Sequence, residues 1–103
     1  MATVLVDGEN VRRSLWPNLA RDELEELTAE WGTRKGHEVV VVWEGRGSAD
    51  DVIARDVRTL TPPVWVATSD RELRRRVEPY AERILGGGSF ARELTRRESA
   101  GSG

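Results

Sequence analysis

Five carboxylates fall where the sequence passes from one element to the next. Asp7 ends the run Val4-Leu5-Val6, Glu44 follows the valines at 39–42, Asp50 and Asp51 follow Ser48, and Asp70 follows Val66-Ala67-Thr68-Ser69. Carboxylates brought together repel one another, and the charge is relieved by protonation or by a cation. With oxygen ligands only, the cation that fits is hard, Mg²⁺ or Mn²⁺. Such a cluster commonly activates water and stabilises a phosphate during in-line displacement. Each acid taken singly also has a plainer use. Ser48-Ala49-Asp50-Asp51 and Ser69-Asp70-Arg71-Glu72 both fit a helix capping box, and Asp7-Gly8 fits a strand-end turn. The metal reading therefore depends on whether the fold brings these positions to one place.

The elements that must do so alternate between strand and helix periods. Thr3–Val6 reads as a buried strand, and Arg21–Lys35 as a helix with Leu24, Leu27, Thr28 and Trp31 on one face, ended by Gly36. Four consecutive valines in Glu38–Trp43 suggest a strand covered on both faces. Ser48 is expected to cap a helix over 49–60, with Ile53, Val57 and Leu60 inward, which Pro62-Pro63 breaks. Val64–Ala67 reads as a third strand, Ser69 as the cap of a helix from Asp70 to about Tyr80, and Arg83–Leu85 as a weak fourth strand. Gly86-Gly87-Gly88 reads as a turn before a last helix, Ser89–Arg97, anchored by Phe90 and Leu94. This rhythm predicts an α/β fold, a three-layer α/β/α domain with a four-stranded parallel sheet. Right-handed crossovers with helices on both faces give the strand order 2-1-3-4. Strands 1 and 3 then lie side by side where the order reverses, which is where open α/β sheets bind ligands. All five carboxylates fall at that edge.

Composition narrows the field. The 103 residues allow one domain, read as 1–98 with a flexible tail at 99–103. Without cysteine there are no disulfides, thiolate ligands or thiol nucleophile. No run approaches the roughly 20 apolar residues of a membrane span. Asp7 and Glu9 interrupt any leader pattern, so a soluble, cytoplasmic protein with no membrane partner is expected. The net charge of −2 argues against a general polyanion binder, although eight arginines fall between Arg71 and Arg97.

Val4-Leu5-Val6-Asp7-Gly8-Glu9-Asn10-Val11, Ser48-Ala49-Asp50-Asp51-Val52-Ile53-Ala54 and Val66-Ala67-Thr68-Ser69-Asp70-Arg71-Glu72, in that order, resemble the NYN domain family of PIN-like nucleases. The YacP-like bacterial branch is the nearest in pattern, and Leu15-Trp16-Pro17 and the Gly88–Leu94 stretch look like it as well. The resemblance implies a PIN-like fold and a metal-dependent endoribonuclease with Asp7, Asp50 and Asp70 as the metal-binding acids. It further implies that Asn10 positions substrate or water, that Asp51 adds a ligand or a supporting contact, and that Thr68 or Ser69 orients Asp70 or a phosphate. The expected partner is single-stranded or loop RNA, with any ribosome association left open. The pattern departs at Glu44-Gly45-Arg46-Gly47, where the family carries a longer segment with an extra edge strand, and Glu44 stands in place of an Asp. The short segment leaves the 39–43 strand as an exposed edge, and a homodimer or some covering element along it is expected. It also keeps open a rival reading, a PIN-like RNA-binding module that cleaves weakly. A phosphotransfer domain with Asp7 as nucleophile is disfavoured by Glu9, where a second Asp is needed.

Other residues carry weaker signals. Trp16 either stacks on a base or packs over the sheet edge. Arg71 stands close enough to the acids in sequence to meet a phosphate, Arg74 to Arg76 read as a solvated face, and Arg12, Arg13 and Arg46 as groove-lining candidates. His37 is expected at the surface, away from the acids, and Trp31, Trp43 and Trp65 in packing. Gly86-Gly87-Gly88-Ser89 lacks the Lys and spacing of a phosphate loop.

Overall fold

The structure is a computed structural model and describes residues 1–45 and 47–96. Arg46, Arg97 and the tail expected at 99–103 lie outside the described residues. Four strands, β1 (Thr3–Asp7), β2 (Glu38–Val42), β3 (Val64–Ala67) and β4 (Arg83–Leu85), form one parallel sheet in the order β2-β1-β3-β4. The sheet and its order are those expected. Alternation along β1 sends Val4 and Val6 to one face and Leu5 to the other, so the sheet feeds two cores. On one face Val4, Val6 and Ala67 pack with Val11, Leu24, Trp31, Phe90 and Leu94. These come from α1 (Gly8–Arg12), α2 (Arg21–Lys35) and α5 (Gly87–Thr95). On the other face Leu5, Val64 and Val66 pack with Ile53 and Val57 of α3 (Ala49–Thr59) and Leu73 and Val77 of α4 (Arg71–Val77).

Helix α2 has the expected bounds because Gly36 takes the left-handed conformation (φ 78°), and its N–H closes on the carbonyl of Gly32 at 2.8 Å. Several expectations need correcting. Helix α1 begins directly after Asp7, where the sequence offers a strand-end turn and no helix is expected. Its buried Val11 holds this single turn against the α5 core. Strand β2 is not covered on both faces, since Val40 is 39 % exposed and the strand lies at the sheet edge. Pairing of two copies along this edge gains no support from the fold. Leu60 lies beyond the end of α3 in extended backbone and is exposed, not inward. Helix α4 stops at Val77, because Pro79 has no N–H to continue it. Helix α5 spans Gly87–Thr95, so the expected glycine turn already forms its first residues.

His37 is half-buried rather than a surface residue. Its Nδ1 accepts the Ala2 N–H at 3.0 Å, and its ring lies against Trp31 and Trp65 at 5.5 and 4.5 Å. It stands at the amino end of the sheet, as expected. Trp31, Trp43 and Trp65 all pack, with indole N–H groups donating to Glu93, Glu25 and Glu82 at 2.9, 2.7 and 2.9 Å.

A candidate acidic active site at the carboxyl edge of the sheet

The strand register places Asp7 at the centre of this edge. β1 pairs with β2 through Asp7↔Val42 and with β3 through Val6↔Ala67, so Thr68 is the next residue beside Asp7. Thr68 is fully buried, and its hydroxyl donates to Asp7 Oδ2 at 2.8 Å while accepting the Asp70 N–H at 3.0 Å. One hydroxyl thus fixes the side chain of one acid and the backbone of another.

The plainer reading, an acid serving the start of a helix, applies to Asp70 and to Glu44. Asp70 caps α4, with Oδ1 accepting the N–H groups of Glu72 and Leu73 at 2.9 and 3.2 Å, which assigns that cap to Asp70 instead of Ser69. Its Oδ2 has no hydrogen-bond partner among the described residues. Asp7 stands at the N-cap of α1 but makes no capping bond. Helix α3 is capped by the Ser48 hydroxyl, which accepts the Asp51 N–H at 3.2 Å, while Glu44 Oε1 takes the Ala49 N–H at 3.3 Å. Asp50 is thereby left without a hydrogen bond or ion pair among the described residues.

The charges around this edge act on one another. Burial, with Asp7 only 4 % exposed, pushes its carboxyl up to about 6. The Thr68 hydrogen bond opposes that rise, and repulsion from Asp50, Asp70 and Glu44 adds to it. Burial also raises Asp50, helped by Asp70, Glu44 and Asp51 against the Arg76 guanidinium. The acids therefore lie close enough to disfavour one another's charge, yet among the described residues no three of them close on a single point as a ready-made cation site. The donor set fits a hard divalent ion, since it consists of carboxylates alone, and among the described residues the buried Asp7 has no partner for Oδ1 and Asp50 is unpaired.

The other expected residues divide. Asp51 turns outward, its side chain 71 % exposed and bonded to Arg76 at 3.0 Å. Asn10 and Ser69 are joined: Asn10 Oδ1 accepts the Ser69 N–H at 2.8 Å, and Ser69 Oγ accepts the Gly87 N–H at 2.7 Å. This knot ties α1, the β3–α4 turn and α5 together beside the acids. A methyl group at Gly87 would press on Asn10 Oδ1 and lie 3.0 and 3.1 Å from Ser14 Oγ and Ser69 Oγ, so the knot requires glycine there. Arg71 shares a shallow depression with Arg74, Arg75, Glu78 and Ile84 and has no ion pair among the described residues. Arg12 and Arg13 are drawn to Glu9 at 3.0 and 3.4 Å, as is Arg21 at 2.8 Å. Burial works to raise Glu9, but hydrogen bonds and charge from Arg21 and Arg12 outweigh it and hold the carboxyl below its usual range. Glu9 as the hub of three arginines is not legible in the sequence, because Arg21 reaches it from the next helix. Trp16 is 90 % exposed, which excludes the packing alternative.

No protein-family model and no curated protein matches the chain. Among solved structures it is similar to Rae1 (YacP) from Bacillus subtilis, crystallised as a W164L mutant. The two superpose with a TM-score of 0.79 at 25 % identity, over 91 % of this chain and 75 % of that one. The similarity supports a YacP-like relationship, and the α/β/α architecture expected of a PIN-like domain is the one this chain shares with Rae1 (YacP).

Proposed function

We propose that the chain is a metal-dependent endoribonuclease that hydrolyses phosphodiester bonds in single-stranded or loop RNA. The observation that carries this reading is the gathering of Asp7, Asp50 and Asp70 at one sheet edge. There Asp7 and Asp50 are raised by burial and mutual repulsion and neither forms an ion pair among the described residues. Asp7 is the central ligand, held by Thr68. Asp50 and the free Oδ2 of Asp70 are its companions, and Asp51 supports from outside through Arg76. A bound Mg²⁺ or Mn²⁺ would supply positive charge against the phosphodiester and acidify water at neutral pH. The chain's own residues place that charge, and the Asn10–Ser69–Gly87 knot sets the wall on which the phosphate rests. Trp16 offers an exposed face on which a base stacks. Arg71 is free to meet a flanking phosphate. The likeness to Rae1 (YacP) supports a PIN-like ribonuclease fold, and the cytoplasm is the compartment proposed for it.

The absence of a closed three-carboxylate site among the described residues favours one competing reading, an RNA-binding module that cleaves weakly. A single assay separates the two. Cleavage of a labelled RNA in Mn²⁺ or Mg²⁺, lost in EDTA and reduced at least about a hundredfold by Asp7→Asn, supports the nuclease. RNA binding with no divalent-dependent cutting supports the module.

A further inference from the structure

Helices α3 and α4 pack side by side on one face of the sheet, and an open groove of about 650 Å³ runs between them. Asp51, Ala54, Arg55, Arg58, Thr59, Arg76, Pro79 and Tyr80 line it. From Asp51 to Arg58 the helical rise gives a length of about 10 Å, room for about three stacked nucleotides at about 3.4 Å each. At its upper end Asp51 is neighbour to Asp50, and Arg76, paired with Asp51 at 3.0 Å, bears electrostatically on Asp50. The groove thus opens from the acidic edge itself. At its lower end the Arg58 guanidinium lies 5.2 Å from the centre of the Tyr80 ring, and Tyr80 is 48 % exposed. Arg58 has no carboxylate partner among the described residues, whereas Arg55 pairs with Asp56 at 3.1 Å. Arg76 is offset by Asp51 and Arg55 by Asp56, so Arg58 is the lining arginine whose charge no carboxylate meets among the described residues.

We propose that this groove is the track of the substrate's own single strand as it leaves the acidic edge, with Tyr80 stacking on a base and Arg58 meeting the adjacent phosphate. The inference rests on the nuclease reading and extends it to the direction in which RNA lies. An acidic peptide would use the arginines but has no planar group for the exposed ring, and continuity with a phosphodiester-binding edge favours a nucleic acid strand.

The test uses 5′-fluorescein oligouridylates of about 4 and about 15 nucleotides, lengths that bracket the reach of such a groove. Binding is read by anisotropy in EDTA and cleavage separately in Mn²⁺. Arg58→Ala and Tyr80→Ala are each expected to weaken binding of the longer oligomer about tenfold and of the shorter one less than twofold. Arg58→Ala should also flatten the salt slope by about 0.7. Tyr80→Phe keeps the ring and should bind within about twofold of the wild type. Both side chains are surface groups, and thermal melts confirm that the variants fold. Unchanged affinity and salt slope for the longer oligomer overturn the proposal. So does failure of the wild type to bind it, or its displacement by polyglutamate in preference to unlabelled oligouridylate. Loss of binding in both alanine variants together with no divalent-dependent cleavage by the wild type keeps the groove and removes the nuclease reading.

Discussion

Asp7 carries an unfavourable charge in the folded chain, and its consequence for stability has a definite sign. Its folded pKa of about 6 lies above the ordinary value of 3.8. Between these two values the folded protein retains a proton that the unfolded chain has released. Stability therefore falls as pH rises through that window, by about 3 kcal/mol in all, and stays reduced at neutral pH. Asp7→Asn keeps an acceptor for Thr68 without the charge. It is expected to be more stable than the wild type at pH 7 by about 1–3 kcal/mol and to lose the fall between pH 4 and 6, as read by denaturant titration across pH. Thr68→Val acts in the opposite sense. It strips Asp7 Oδ2 and the Asp70 N–H of their partner, at a cost of about 1–3 kcal/mol, with activity reduced about 10- to 100-fold if Asp7 is a ligand. Parallel melts and cleavage assays check both effects.

At the scale of elements, the sequence is most legible where local chemistry decides. Gly36 and the Pro62-Pro63 pair punctuate the chain, and α2 and β3 have the bounds their periodicity predicts. Helix α1 escapes because a single turn containing Gly8 and Asn10 has little propensity of its own and exists through Val11 in the core. Ser69 and Asp70 are both acceptable caps; in the fold the Ser69 hydroxyl accepts the Gly87 N–H, and Asp70 caps the helix. The placement of the candidate acids at one sheet edge follows from strand order and is readable. The partition of their oxygens between caps, Thr68 and open space depends on contacts some sixty residues apart in sequence and is not. Gly87→Ala tests the knot that joins α1, α5 and the β3–α4 turn. The added methyl group must displace Asn10 or Ser69, with an expected loss of about 1–3 kcal/mol by thermal melt. Activity should fall further than that destabilisation explains.

For the whole molecule, a net charge of −2 means that the RNA of the proposed function would be held by local groups and not by a global field. With about three arginines contacting phosphates, the logarithm of affinity should fall with the logarithm of salt at a slope of about −2, far shallower than for a broad polyanion binder. A steep slope measured by anisotropy would place RNA over a much larger surface. A cation held at the acidic edge is what the proposed chemistry requires, and the unfolding of the intact domain reports on it without any RNA. The most direct measurement is the melting temperature at pH 7 as Mn²⁺ is added, for the wild type and for Asp7→Asn. Binding to the acidic edge predicts a rise of about 5–10 °C for the wild type at a tenfold excess over Kd, and almost none for the variant. Equal shifts in both proteins, or no shift in either, would contradict it.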